Sequence, residues 1–166
     1  MAITLLLLAG CSAGGDAKPE STVTPWVAPT PEEATPEQVA SVLAEYETDW
    51  RDVIDGAIDC RFTWTVDDTP TGQLQGTTCF TTEKTIGITS QLAVREWGEM
   101  EIPSSMQDLV ASTSKVLGLI SETDLAAVCG EDSEPNGTQE CNDALGSRNF
   151  AYSMLEGELD KWKPYL

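Results

Sequence analysis

The chain has 166 residues, 40% of them hydrophobic, which is enough for one ordinary core and short for two domains. Nine Lys plus Arg stand against 28 Asp plus Glu, giving a net charge of -19 with no histidine. That balance excludes a basic face for nucleic-acid phosphates or anionic lipid, Ser-His and Cys-His catalysis, and every His-containing metal site, while favouring cations or basic partners.

In chain order, Ile3 to Ala9 form an apolar run far shorter than the roughly 20 residues a membrane span requires. Gly10 and Cys11 follow it. Leu8, Ala9, Gly10 and Cys11 resemble the lipobox of bacterial lipoproteins. The resemblance implies that residues 1–10 are a signal peptide, and that Cys11 becomes the first residue of the mature chain, anchored through a diacylglyceryl group. It also implies a location on the extracytoplasmic face of the cell membrane. Residues 11–35 are rich in Pro, Thr, Ser, Ala, Gly and Glu, with no hydrophobic period, and read as a disordered tether that also carries Trp26. The whole chain is similar to the small, acidic, threonine- and alanine-rich surface lipoproteins of high-GC Gram-positive bacteria or their phages. Outside Leu8 to Cys11 that similarity is compositional, and it implies a location rather than an activity.

From residue 36 to residue 166 the spacing predicts an all-α domain. Val39, Leu43, Tyr46, Trp50, Val53, Ala57 and Cys60 follow a helical repeat, with Thr35 as cap and Pro36 at the first helical position. A second helix is expected from about Thr82 to Met100 on Ile86, Ala93, Trp97 and Met100. A third is expected from Ser104 to Val128 on Met106, Leu109, Val110, Thr113, Val116, Leu117, Ile120 and Val128. The fourth runs from about Thr138 to Lys163 on Cys141, Leu145, Arg148, Tyr152, Leu155, Leu159 and Trp162. Four amphipathic helices with short joins suggest an up-and-down bundle.

Cys60, Cys79, Cys129 and Cys141 then fall near helix ends. Of the three connectivities open to them, pairing Cys60 with Cys79 and Cys129 with Cys141 is the one that staples adjacent helix ends, and disulfides agree with an oxidising compartment. A zinc site would need closer cysteine pairs than the sequence contains.

The segment between Cys60 and Cys79 suggests a short β-ribbon, with Phe62 and Trp64 alternating with polar residues, either as a partner-binding platform or as a lid on the bundle. The stretch DSEPNGTQECND resembles a calcium loop, with Asp132, Glu134, Asn136, Glu140 and Asp143 as ligands. An acidic turn before a helix capped by Thr138 explains the same residues without calcium. Asp52, Asp55 and Asp59 read as a solvated helix face. Arg148 lies on its apolar stripe, which leaves either a buried guanidinium with a carboxylate partner or a stem on the core edge with its head in water. No phosphate loop, dinucleotide fingerprint or nucleophile elbow appears. The leading expectation is a lipid-anchored, non-catalytic binding or interaction module with a protein partner at the envelope and no cofactor. The alternatives are a phage-type exclusion lipoprotein and a calcium-binding sensor or carboxylate-dependent enzyme.

Overall fold

The computed structural model describes residues 32–65, 69–130 and 137–166. The expected signal peptide, the Cys11 anchor, Trp26 and most of the tether lie outside the described residues. The described chain is all-helical: α1 (Pro36–Ala44), α2 (Glu47–Thr65), α3 (Pro70–Gly98), α4 (Gln107–Ser121), α5 (Leu125–Cys129) and α6 (Gln139–Trp162). Among the described residues no helix is long and apolar enough to cross a membrane.

Local signals set the helix starts. Thr35 accepts from the Gln38 amide at 3.2 Å while Gln38 Oε1 accepts from the Thr35 amide at 2.8 Å, a reciprocal capping box with Pro36 behind it. Thr69 and Thr138 cap α3 and α6 by the one-way bond, their side chains accepting from the amides of Gly72 and Cys141. The expected first helix is broken at Glu45 and Tyr46, so α1 turns away from α2 and packs on α3, where the Trp97 indole donates to the Val39 carbonyl at 2.9 Å. Just before α1, the Ala34 amide donates to the Glu101 carbonyl, so the end of the expected tether is held on the domain.

The long helices α2, α3, α4 and α6 close into a ring with every neighbour antiparallel. Trp50 meets Thr89 while Cys60 meets Cys79 across α2 and α3. Ser112 meets Glu158 while Ile120 meets Arg148 across α4 and α6, and Arg61 meets Asn142 while Arg51 meets Asp160 across α2 and α6. This is the up-and-down bundle the periodicity predicts.

Both expected disulfides are present. Cys79, however, lies inside α3 rather than before it, because α3 begins twelve residues earlier than the apolar stripe suggested. The expected β-ribbon is not formed: Arg61–Thr65 complete α2, and Pro70 already opens α3. The reason lies in Trp64. It continues the 57, 60, 64 helical repeat and stacks on Phe80 with centroids 4.5 Å apart, burying an aromatic pair that a ribbon would leave wet. Gly76 permits the approach, since a Cβ there would stand 3.3 Å from the Trp64 ring.

The third helix also stops short of its expected end. It breaks at 122–124, Asp124 starts the separate turn α5 by accepting from the Ala127 amide, and Val128 faces solvent. The core is in two parts. The larger cluster joins Leu43, Trp50, Ile86, Trp97, Leu117, Leu155 and Trp162, with Trp97 and Trp162 stacked at 5.4 Å. The smaller joins Trp64, Phe80, Leu125, Leu145 and the Cys129–Cys141 bridge at the other end of the bundle.

Candidate functional site

A polar layer lies along the helices between the two apolar clusters. On α3, Glu83 falls between Phe80 and Ile86; on α6, Arg148 and Tyr152 follow Leu145. All three are buried: Glu83 is 1% exposed, Arg148 3% and Tyr152 1%. Arg148 Nη1 donates to the Glu83 carbonyl and lies 3.3 Å from Glu83 Oε2, which also accepts the Tyr152 hydroxyl. Arg148 Nη2 donates to the Ile120 carbonyl at 2.9 Å and the Thr123 carbonyl at 3.2 Å. These belong to the C-terminal end of α4, whose last carbonyls have no intrahelical donor, so Arg148 caps α4 from a different helix. Of the two alternatives for Arg148, the buried one holds, and its carboxylate partner is Glu83.

Burial pushes the Glu83 carboxyl above its ordinary value, against the opposing pull of the Tyr152 hydroxyl and the Arg148 charge. Burial and then the neighbouring Glu83 charge push the Tyr152 hydroxyl up as well, which keeps it a proton donor. Glu83 Oε1 and Arg148 Nε are buried without hydrogen-bond partners.

The layer reaches a cavity on each side. Glu83 lines one of about 270 Å3 between α2 and α3, together with Asp52, Val53, Gln75, Thr78 and Thr82. A second, of about 310 Å3, adjoins it along the same seam. Arg148 lines a third, of about 380 Å3, bounded by Lys84, Gly87, Ser121 and Asp124.

The sequence-predicted site residues are not brought together. Phe62 is 59% exposed while Trp64 is buried, so the two cannot serve one partner-binding face, and Trp64 acts as core. Asp132, Glu134 and Asn136 lie outside the described residues. Glu140 and Asp143 stand on the first turns of α6, both exposed. Among the described residues no group of three or more His, Cys, Asp or Glu side chains is placed to hold a metal ion. Asp52, Asp55 and Asp59 are exposed as a solvated face requires, although Asp52 also edges both α2–α3 cavities.

Sequence reasoning missed Glu83. Its signal was the repeat Gly72, Gly76, Phe80, Glu83, Ile86, Ser90, Ala93, Trp97, all buried on one stripe of α3. Glycine, glutamate and serine occupy core positions there, which disguises the period. No protein-family model, characterised protein or solved structure matches the chain.

Proposed function

We propose that this protein is a lipid-anchored, non-catalytic binding module on the extracytoplasmic face of the cell membrane, held there through Cys11 and the Pro- and Thr-rich segment that follows it. The observation that carries the reading is the cysteine count. Four of the five cysteines are used in two bridges inside the helical domain, which leaves Cys11 as the odd one, the last residue of a lipobox-like stretch. Disulfides of this kind persist in oxidising compartments, which fits a domain presented outside the cytoplasm. Two or three acyl chains hold a protein stably where one does so only marginally, at about 0.8 kcal/mol per buried methylene.

The domain suits binding rather than chemistry. Its buried titratable groups, Glu83, Arg148 and Tyr152, bond chiefly to one another and to a helix end, and Glu83 Oε1, left without a partner beside the α2–α3 cavity, is an acceptor for a ligand donor. The state of Cys11 in protein recovered from host membranes tests the proposal. A chain that begins there and carries a diacylglyceryl group is expected; an unmodified chain contradicts it.

A further inference from the structure

The two cavities between α2 and α3 share Asp52, Val53 and Thr82, and so form one groove. It extends from Trp50 and Thr89 at one end to Cys60 and Cys79 at the other. The stretch of α2 from Trp50 to Cys60 corresponds to roughly 15 Å at the helical rise.

The chemistry of this groove is one-sided. Thr78, Thr81, Thr82, Thr85 and Thr89 line it, and each hydroxyl donates to the carbonyl four residues earlier on α3. A threonine hydroxyl has one proton. With that proton committed to the backbone, each of these hydroxyls has only acceptor capacity left, and Thr89 already uses its own to take the Trp50 indole N–H at 2.8 Å. Asp49 and Asp52 add exposed carboxylates along the α2 edge. On the inner wall stands Glu83, 1% exposed, whose Oε1 has no hydrogen-bond partner. A buried carboxylate oxygen without a donor is unfavourable, and a ligand N–H entering from the cavity relieves it. Val53 and Ile86 separate the polar groups with apolar surface. The complementary ligand therefore carries donors and positive charge at intervals, joined by aliphatic spacers.

We infer that the α2–α3 groove binds a linear aliphatic polyamine, with its ammonium groups on Asp49, Asp52 and Glu83 and its methylenes along Val53 and Ile86. The net charge of -19 draws polycations to the whole surface. The groove adds fixed acceptors and an unpartnered buried carboxylate oxygen, which diffuse attraction lacks. The inference rests on the reading of the chain as a binding module and supplies its ligand class.

Calorimetric titration of spermidine into the full chain, solubilised in neutral detergent at about 150 mM salt to screen diffuse attraction beyond about 8 Å, tests it. One saturable site is expected. The double variant Asp49→Asn with Asp52→Asn should weaken it at least about tenfold, the loss of about 1.4 kcal/mol. Asp55→Asn with Asp59→Asn, which removes the same charge from exposed positions of the same helix outside the groove, should change it by less than about twofold. Absence of a saturable site overturns the inference. So does equal weakening in the two double variants, which would mark a diffuse counter-ion cloud, or tighter binding of a tetralysine peptide than of spermidine, which would mark a basic protein partner. None of these outcomes bears on the state of Cys11, and an unlipidated Cys11 would leave a measured groove affinity standing, so the two readings fail separately.

Discussion

Replacing Gly87 with alanine probes the polar layer by adding a single methyl. A Cβ at Gly87 would stand 2.7 Å from Arg148 Nη2 and 3.6 Å from its Cζ, so the guanidinium has to move. An arginine head is ordinarily free to retreat, but this one is 3% exposed and fixed by Glu83 on one side and by the Ile120 and Thr123 carbonyls on the other. Hydrogen bonds to a charged group contribute about 1.5–3 kcal/mol each, so losing one Nη2 bond and straining the second costs about 2–4 kcal/mol. Alanine recovers about 0.8–1 kcal/mol of helix propensity. The net expectation is a loss of about 1–3 kcal/mol, or a melting temperature lower by roughly 3–10 °C, measured by circular dichroism without reductant. Gly157, on α6, has nothing within 4 Å of an added Cβ, and Gly157→Ala should instead raise stability by up to about 1 kcal/mol. Equal stabilisation by both substitutions would refute the idea that Arg148 is locked against α3.

Two further outcomes follow from the same network and from the bridges. Because the folded Glu83 carboxyl titrates above its unfolded value, this one site holds more proton in the folded state than in the unfolded chain in the window just above about pH 4.5, opposite in sign to the lowered carboxyls of Glu37, Glu158 and Asp160. The Glu83 contribution is therefore full below that window and is lost as pH rises through the folded value. Urea midpoints followed across the window should fall less steeply with rising pH in Glu83→Gln than in the unaltered protein. At neutral pH the variant should be less stable by about 3–5 kcal/mol, because Arg148 is left as a buried cation without its carboxylate. Parallel pH profiles would contradict the assignment. Reduction should release α5 first, since a helix of five residues cannot stand alone and Cys129 ties it to α6. With the bridge worth about 3 kcal/mol, amide exchange at Leu125–Cys129 should accelerate on reduction while α3 stays protected; unchanged exchange at α5 would show that packing alone holds it.

What the sequence made legible followed from ordinary core residues. The stripes of α1 and α2 from Val39 to Cys60, and of α6 from Cys141 to Trp162, carry leucine, tryptophan, valine and tyrosine at helical spacing, and they bury as their period requires except at Tyr46 and Val53, which are half-buried. Both disulfide partners could be read because neighbouring cysteines sit on neighbouring antiparallel helices. The first half of α3 was hidden for a packing reason: Gly72 and Gly76 take core positions on its buried stripe, and Gly76 is small because Trp64 covers it. A sparse apolar pattern between Cys60 and Cys79 therefore looked like strand and turn. The alternation of Phe62 and Trp64 misled for a related reason, since residues two apart on a helix face different ways and only one of them meets the core. Val128 fell off its expected stripe because the break at 122–124 resets the helical phase. The pairing of Glu83 with Arg148 spans 65 residues of sequence, and no local pattern announces a partner at that distance.

The measurement that tests the account most directly is the intact mass of the protein extracted from host membranes, recorded with and without reductant. The account predicts a chain that starts at Cys11, heavier by a diacylglyceryl group, and lighter before reduction by the four hydrogens that its two disulfides remove. A full-length, unmodified chain whose mass is the same in both conditions would contradict the anchor, the bridges and the extracytoplasmic placement together.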